Sequence, residues 1–141
     1  MNLSIIYWSG TGNTEAMANL IADGANVAGA NVTLKSTADA SLDDIKNADV
    51  VALGCPSMGD EVLEECEFQP FMDSAMADLK EKKVAIFGSY GWGDGRWLRE
   101  WHESLANNGC VMLSEGLMVN GAPAGDDENI CKELGKTIAS A

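Results

Sequence analysis

Short apolar runs alternate along this chain with segments whose apolar residues recur at helical spacing, and this alternation limits the fold more than any other feature. Leu3–Trp8 is almost continuously apolar, which is typical of a strand buried on both faces of a sheet. Further runs lie at Val32–Leu34, Val50–Gly54, Val84–Phe87 and Cys110–Leu113, the last continuing at Leu117–Val119. Strands that alternate with helices form a parallel sheet covered by helices on both faces. We therefore predict an α/β fold, a doubly wound, five-stranded parallel sheet, as one domain over residues 1–141.

The segments between the strands show helix signals at their ends as well as in their periodicity. Apolar residues from Ala16 to Ala28 follow one helical stripe, and Gly29 is placed to cap that helix at its C-terminus. Ser41 followed by Asp44 has the pattern of a short helix with a capped N-terminus. Three further helices are predicted over Pro70–Leu79, Trp97–Leu105 and Ile130–Ile138.

The chain is strongly acidic, with 9 Lys and Arg residues against 22 Asp and Glu and a net charge of −13. Nucleic acids and anionic membranes select cationic surfaces, so this charge argues against both as partners. The charge suits a partner protein with a basic face, although acidic residues also serve simply to keep a protein in solution.

Several kinds of segment and site are missing from the sequence. No apolar run approaches the ~20 residues that cross a bilayer, and the first residues lack the basic segment of an export signal. The four cysteines, Cys55, Cys66, Cys110 and Cys131, form no CxxC pair, which indicates reduced thiols in the cytoplasm. His102 is the only histidine, so we expect neither a metal site nor a catalytic triad.

Glycines are concentrated at three places where predicted strands end. They are Gly10 and Gly12 after the first strand, Gly54 and Gly59 after the third, and Gly88, Gly91, Gly93 and Gly95 after the fourth. In open α/β sheets, ligands bind outside the carboxyl ends of the strands. The three loops therefore predict one shared binding site at this edge of the sheet.

The loop after the first strand, Ser9–Thr14, has the composition of a phosphate-binding loop. Its glycines let the backbone approach an anion, its hydroxyls can donate hydrogen bonds, and the following helix start offers free N–H groups. The alternative is a tight strand-to-helix turn capped by Gly12 or Asn13. A nucleoside triphosphate loop requires a lysine, and none occurs before Lys35; a dinucleotide fingerprint requires a third glycine where Glu15 stands. The remaining candidate ligand for this loop is a monophosphate group held by uncharged hydrogen-bond donors.

The loops after the third and fourth strands contain two side chains suited to a flat ring. Met58 and Trp92 can flank such a ring, because an indole stacks on a π-system and a thioether packs softly against it. Met58 taken alone would serve equally well as a gap filler in a core. Trp97 and Trp101 lie at helical spacing, which favours a packing role for both.

Five acidic residues follow the third strand closely. They are Asp60, Glu61, Glu64, Glu65 and Glu67, and no basic residue occurs between Lys46 and Lys80. We expect the last three acids to form a solvated loop face that also serves in partner docking. Glu61 lies close to the loop glycine, where its carboxylate can accept a hydrogen bond from a ring N–H.

These features together resemble the flavodoxin family, in its short-chain, clostridial form. The resemblance runs nearly end to end and is strongest in three motifs, Tyr7–Glu15, Gly54–Glu61 and Phe87–Gly95. It implies a flavodoxin-like strand order 2-1-3-4-5, for which the family is itself the standard example, and one non-covalently bound FMN at the switch point between strands one and three.

The resemblance also assigns residues to the cofactor. They are Ser9, Gly10, Thr11, Gly12, Asn13, Thr14, Pro56, Ser57, Met58, Gly59, Asp60, Glu61, Ser89, Tyr90, Gly91, Trp92, Gly93 and Asp94. By similarity, residues 9–14 hold the phosphate, Met58 and Trp92 cover the two ring faces, and residues 89–91 line the pyrimidine side. The Gly59–Asp60 peptide would lie at flavin N5 and Glu61 at N3–H. Some members have a hydroxyl residue where this chain has Pro56, so no phosphate contact carries over to that position.

The implied function is low-potential electron transfer on FMN, and the implied protein is a cytoplasmic monomer without catalytic residues. Its partners would be redox proteins with basic docking faces, such as ferredoxin-type reductases or oxidoreductases. The alternative is an NAD(P)H-dependent quinone reductase on the same fold, for which the chain has little room and no Arg cluster to bind a 2′-phosphate. A phospho-acceptor receiver domain would need an acidic pair where Ser9 and Gly10 stand.

Overall fold

The computed structural model describes all 141 residues, arranged as a parallel sheet between layers of helices. The strands are β1 (Asn2–Tyr7), β2 (Asn31–Ser36), β3 (Val50–Gly54), β4 (Lys83–Tyr90), β5 (Val111–Met112) and β6 (Leu117–Asn120). The helices are α1 (Asn13–Val27), α2 (Leu42–Lys46), α3 (Phe68–Leu79), α4 (Arg96–Asn107) and α5 (Asp126–Ala139). The sheet order is β2-β1-β3-β4-β5, with β6 also beside β4, and all pairs are parallel. The predicted fold class and strand order are confirmed.

The fifth strand of the prediction consists of two short strands. β5 pairs with the first residues of β4, Lys83 and Val84, and β6 pairs with its last residues, from Phe87 to Tyr90. Between β5 and β6 the chain packs closely beneath α4, since a Cβ built on Gly116 would lie 2.8 Å from Leu98 Cδ2. The predicted continuation of the strand is therefore correct, with a break that the apolar pattern does not show.

The sheet separates two apolar cores, because its central strands bury side chains on both faces. Adjacent residues of β1 illustrate this, since Ile5 lies in the core beneath α1 and α5 while Ile6 lies in the core beneath α3 and α4. The second core also contains Phe68, Trp97 and Trp101. Trp97 and Trp101 are only 2% and 4% exposed, which confirms the packing role that their spacing predicts.

Helices α1 and α5 approach each other so closely that only glycine fits at their crossing. A Cβ on Gly24 would lie 1.9 Å from the carbonyl oxygen of Lys132, and a Cβ on Gly135 would lie 2.1 Å from that of Ile21. The buried face of α5 therefore runs through Gly135. Ile130, which helps to predict the helix, is 49% exposed, so the periodicity located the helix but not its buried face.

The helix ends predicted at Gly29 and Ser41 are confirmed. Gly29, which follows the C-cap residue Ala28 of α1, has a φ of +92°, the conformation that commonly follows a helix C-terminus. The backbone N–H of Ser41 donates to Asp44 Oδ2 at 2.9 Å, as in a capping box. Asp44 also pairs with Lys35 at 3.0 Å. Burial opposes ionisation of Asp44, but the Ser41 and Lys35 contacts prevail and lower its pKa.

The four cysteines are unpaired, and three of them, Cys55, Cys110 and Cys131, are buried. Burial raises the pKa of Cys55 to about 12 and that of Cys131 to about 11. These buried thiols therefore stay protonated at neutral pH and are poor nucleophiles. Among the helices, none combines the length and the apolar character that crossing a bilayer would require.

Candidate functional site

Three loops meet at one edge of the sheet, where β1, β3 and β4 end. The register aligns Tyr7 of β1 with Gly54 of β3, and Gly54 with Phe87 of β4, so the following segments begin side by side. Together they enclose a cleft of about 280 Å³. Its lining residues are Trp8, Ser9, Gly10, Thr11, Asn13, Thr14, Pro56, Ser57, Met58, Ser89, Tyr90, Gly91 and Gly121. The structure thus brings the three loops to one site.

Not every residue that the sequence assigned to the site lines this cleft. Those outside its lining are Gly12, Gly59, Asp60, Glu61, Trp92, Gly93 and Asp94. Gly12 lines an adjoining polar cleft, and the other six belong to the same loops further from the sheet. Two lining residues, Trp8 and Gly121, are absent from the prediction. Gly121 directly follows β6, and β6 ends at the same edge of the sheet as β4. That position is the feature from which its place at the cleft could have been predicted.

The loop after β1 presents backbone donors that no group in the chain uses. Ser9 Oγ accepts the N–H groups of Gly12 at 3.1 Å and Glu15 at 3.3 Å. The remaining N–H groups from residue 10 to residue 14 have no acceptor in the chain. Gly12 is the N-cap of α1 and supplies no side-chain cap, so the predicted tight turn is present and still leaves the helix start open. Free N–H groups at a helix start fit a phosphate.

Hydrogen bonds of Thr14 and Ser89 connect the loop after β1 to the neighbouring strands. Thr14 is 1% exposed, and its Oγ1 accepts the backbone N–H of Ser89 at 3.3 Å. The Ser89 hydroxyl donates to the Gly121 carbonyl at 2.6 Å, and the Ser89 carbonyl accepts the Ser57 N–H at 3.0 Å. Thr14 keeps its own hydroxyl proton for a ligand, whereas the Ser89 hydroxyl is already engaged.

A tight turn over residues 59–61 closes the second loop. Met58 and Val62 exchange both backbone hydrogen bonds, at 2.9 and 3.0 Å. Gly59 has a φ of +48° and Glu61 a φ of +57°. Glycine adopts positive φ without strain, whereas Glu61 is a non-glycine residue in that region and is held there by its side-chain contact. The turn places the Gly59–Asp60 peptide at its tip.

Glu61 and Arg96 connect this turn to the start of α4. Glu61 is 7% exposed, and its Oε2 accepts the backbone N–H of Arg96 at 2.7 Å. The Arg96 guanidinium donates in turn to the Asp60 carbonyl. Gly93 makes room for this arrangement, since a Cβ there would lie 2.3 Å from Glu61 Oε1. The sequence alone does not predict a role for Arg96. The only feature of the sequence that could indicate one is its position at the start of the helix that follows the third loop.

The expectation that Glu64, Glu65 and Glu67 all form a solvated face is wrong for Glu64. Glu64 is 6% exposed, and its carboxylate accepts the N–H groups of Cys66 at 2.7 Å and of Glu67 and Phe68 at 2.8 Å each. Burial opposes its ionisation, but these backbone donors prevail and hold its pKa below the usual value. The carboxylate satisfies the N–H of Phe68, the first residue of α3, and those of the two residues before it, which charge patterning does not reveal.

The two residues expected to flank a ring are both large apolar side chains exposed to solvent in the loops. Trp92 is 62% exposed and Met58 36% exposed. Trp97 is by contrast buried, and its indole N–H donates to the Cys55 carbonyl at 3.1 Å. Asp94 is exposed and pairs with Arg99 at 3.2 Å. Exposed apolar side chains beside a cleft are typical of a surface that a ligand covers.

Comparison with known proteins agrees with this geometry. Residues 5–135 match the model of the flavodoxin family. The chain is 48% identical over 138 residues to a flavodoxin of Clostridium beijerinckii, an alignment that covers 98% of this chain and 99% of the relative. It is 45% identical over 139 residues to a flavodoxin of Megasphaera elsdenii, with 99% of each chain covered.

A solved structure gives the same result. The solution structure of two-electron reduced Megasphaera elsdenii flavodoxin superposes on this chain with a TM-score of 0.90, over 99% of both chains. The family match spans most of the chain, and both relatives match it over almost their whole length. The chain therefore belongs to the flavodoxin family, the FMN-binding electron-transfer proteins that its three loop motifs resemble.

Proposed function

We propose that this chain shuttles electrons between redox partner proteins on one FMN held non-covalently in the cleft between its three loops. One observation carries the proposal. The same cleft contains backbone N–H groups without acceptors at the start of α1 and the exposed side chain of Met58. When bound, FMN supplies the redox chemistry, because its ring takes up one or two electrons. The chain's own residues bind the FMN, orient it and set its potential.

The phosphate would lie on residues 9–14, where every available donor is neutral. No Lys or Arg lines the cleft, so no cationic side chain of the lining would neutralise the phosphate. The hydroxyls of Thr11 and Thr14 and the free N–H groups would hold it. The Ser9 hydroxyl accepts two N–H groups of its own loop and would act mainly by shaping that loop.

The ring would lie further out, between Met58 and Trp92, with residues 89–91 along its pyrimidine side. In this arrangement the Gly59–Asp60 peptide would face flavin N5 and Glu61 would face N3–H, while Pro56, Ser57, Gly93 and Asp94 would complete the wall. A backbone carbonyl at N5 accepts a hydrogen bond only when N5 is protonated, so it stabilises the flavin after its first reduction. The positive φ of Gly59 supports this role for the turn.

The electrostatics of the site favour a low potential for the second reduction. The net charge of −13 and the neighbouring carboxylates raise the cost of adding negative charge to the ring. Arg96 acts in the opposite direction, since its guanidinium contacts the turn at the Asp60 carbonyl. We propose that the acids set the low potential and that Arg96 moderates it.

The acidic surface would guide docking onto basic faces of ferredoxin-type reductases or oxidoreductases. We place the chain in the cytoplasm as a monomer and as one domain, with its thiols reduced. Electron-transfer rates to such a partner should fall steeply as ionic strength rises. Rates that ignore ionic strength would contradict electrostatic docking.

A direct test is titration of the flavin-free protein with FMN, followed by quenching of flavin fluorescence. The proposal expects saturation at one FMN per chain and no turnover of NADH or NADPH by the loaded protein. Thr14→Ala should weaken binding, while Thr137→Ala on α5 should not. Absence of saturable FMN binding would overturn the proposal, and rapid NAD(P)H turnover would favour the quinone reductase instead. No lining residue of the cleft offers a cation for a 2′-phosphate.

A further inference from the structure

A second groove, separate from the flavin cleft, lies between α3 and α4 and measures about 230 Å³. Its apolar lining includes Met72 and Met76 of α3 and Trp97 and Trp101 of α4. It is smaller than the flavin cleft of about 280 Å³, which favours a single side chain of another protein over a whole cofactor as its occupant.

The rim of this groove is negatively charged. Glu61, Asp73 and Glu100 contribute carboxylates, and no Lys or Arg is among the lining residues. Asp73 Oδ1 accepts the amide of Gln69 at 3.0 Å, and Glu61 Oε2 accepts the N–H of Arg96. Asp73 keeps one oxygen without a partner in the chain, and the Glu100 carboxylate accepts no hydrogen bond from the chain, so these two residues of the rim can bind a cation.

Arg96, the cation that pairs with Glu100, does not neutralise the rim. Arg96 Nε lies 4.0 Å from Glu100 Oε1, and the two side chains are 53% and 66% exposed. An ion pair so long and so exposed is weak. The Arg96 guanidinium is moreover committed to the Asp60 carbonyl. The groove thus combines an apolar floor with an unneutralised acidic rim.

One type of side chain matches both properties. Arg and Lys have an apolar stem and a charged head, and they bury the stem while the head stays at a polar edge. Thioethers and indole faces pack against such stems, and indole also attracts the cation itself. Arg fits best, because its guanidinium can bind two carboxylate oxygens at once.

We propose that the α3–α4 groove receives an Arg or Lys side chain of the redox partner and so fixes the orientation of docking. This inference rests on the proposed function for the identity of the partner. Glu61 belongs both to the groove and to the turn of residues 59–61. A partner held in the groove therefore lies against the turn that we place at the flavin, on the side where electrons would leave.

The test uses two small probes on the FMN-loaded protein, N-acetyl-arginine amide and its neutral isostere N-acetyl-citrulline amide. Binding is followed by ¹H–¹⁵N NMR at low salt, with probe concentrations in the tens of millimolar. The Trp101 indole N–H is a sensitive reporter, because it is buried without an acceptor in the chain. We expect saturable shifts at Val62, Trp97 and Trp101 with the arginine probe and none with the citrulline probe.

Matched variants separate the groove from general attraction to an acidic protein. Asp73→Asn with Glu100→Gln removes two charges from the rim, whereas Asp127→Asn with Glu128→Gln removes two from α5. The rim variant should weaken arginine binding about fivefold, as expected for two exposed ion pairs, and the α5 variant should leave it unchanged. Equal shifts with citrulline, equal loss in both variants or no saturable shift would each overturn the proposal.

A second measurement distinguishes failure of this inference from failure of the proposed function. The reduced, FMN-loaded variants deliver electrons to a basic c-type cytochrome as a surrogate acceptor, and the second-order rate is recorded. A slower rate in the rim variant than in the α5 variant is expected. Equal rates with normal FMN binding would reject the groove alone, whereas loss of FMN binding in the unmodified chain would reject the electron-carrier function.

Discussion

Replacing Glu64 should destabilise the protein far more than replacing its neighbour Glu65. The Glu64 carboxylate accepts three backbone N–H groups at 2.7–2.8 Å at the start of α3. Glu65 is exposed and makes no hydrogen bond through its side chain. The two residues carry the same charge in the same loop, so the pair isolates the effect of helix capping from that of net charge.

The magnitude follows from the groups that Glu64→Ala leaves without an acceptor. Loss of a side-chain cap at a helix N-terminus costs about 0.5–2 kcal/mol. The Phe68 N–H lies in a buried setting, and a buried donor without a partner adds about 1–3 kcal/mol. Relief of the desolvation of the carboxylate offsets part of this, which leaves a loss of about 3 kcal/mol. At about 2–4 °C per kcal/mol, Tm should fall by about 6–12 °C.

Glu64→Gln should cost less, about 1 kcal/mol, because the amide keeps one acceptor oxygen and loses mainly the interaction of the charge with the helix start. Its cost should depend on pH. The folded-state pKa of Glu64 is lowered, so the carboxylate contributes stability above its unfolded pKa of about 4.3. That contribution is lost as pH falls through the folded pKa.

The assay is urea unfolding at a fixed excess of FMN, followed by circular dichroism from pH 7 down to about pH 3. Glu65→Ala is the control and should change the free energy of unfolding by less than about 0.5 kcal/mol. Equal losses for Glu64→Ala and Glu65→Ala would refute the capping role. A difference between wild type and Glu64→Gln that persists undiminished at the lowest pH would refute the electrostatic part.

Three further substitutions test the fold and the tuning of the flavin. Gly135→Ala should lower the free energy of unfolding by about 2 kcal/mol, because overpacking against the Ile21 carbonyl outweighs the gain in helix propensity; an unchanged urea midpoint would contradict the close crossing. Arg96→Gln should lower the second reduction potential by about 10–40 mV. This shift is the interaction free energy of one exposed charge contact, converted at ~23 kcal/mol per volt. An unchanged or higher potential would show that Arg96 does not tune the flavin. Gly59→Ala should lower the first reduction potential by several tens of millivolts, the worth of one hydrogen bond; an equal potential would refute the N5 role of that peptide.

The sequence predicts the fold well, because each central strand is apolar on both faces and helical periodicity or a capping pattern marks each helix. The order of the strands came from the family resemblance, since periodicity alone does not say which strands pair. The break between β5 and β6 could not be foreseen, because the two halves differ only in which part of β4 they face. The buried face of α5 depends on glycines at its crossing with α1, and hydropathy gives little weight to glycine.

The part of the site that consists of continuous loop segments could be predicted from the sequence. Ser9–Thr14, apart from Gly12, and Met58 line one cleft, as the positions of the strand ends require. Contacts between distant segments escaped prediction. Arg96 and Asp60 form a hydrogen bond although they are 36 positions apart in the sequence. Glu64 has the sequence context of a surface acid, and only the structure shows that its carboxylate binds the start of α3. A side chain's charge is readable in a sequence, but its partner depends on the fold.

The central claim is that the chain carries electrons on FMN held by these three loops. The measurement that tests it most directly is a potentiometric, anaerobic reduction of the purified protein, followed by its visible spectrum. We predict one FMN per chain, two well-separated one-electron steps, and a second potential well below that of free FMN. A colourless protein that takes up no added FMN, or bound FMN whose two potentials equal those of free FMN, would contradict the account.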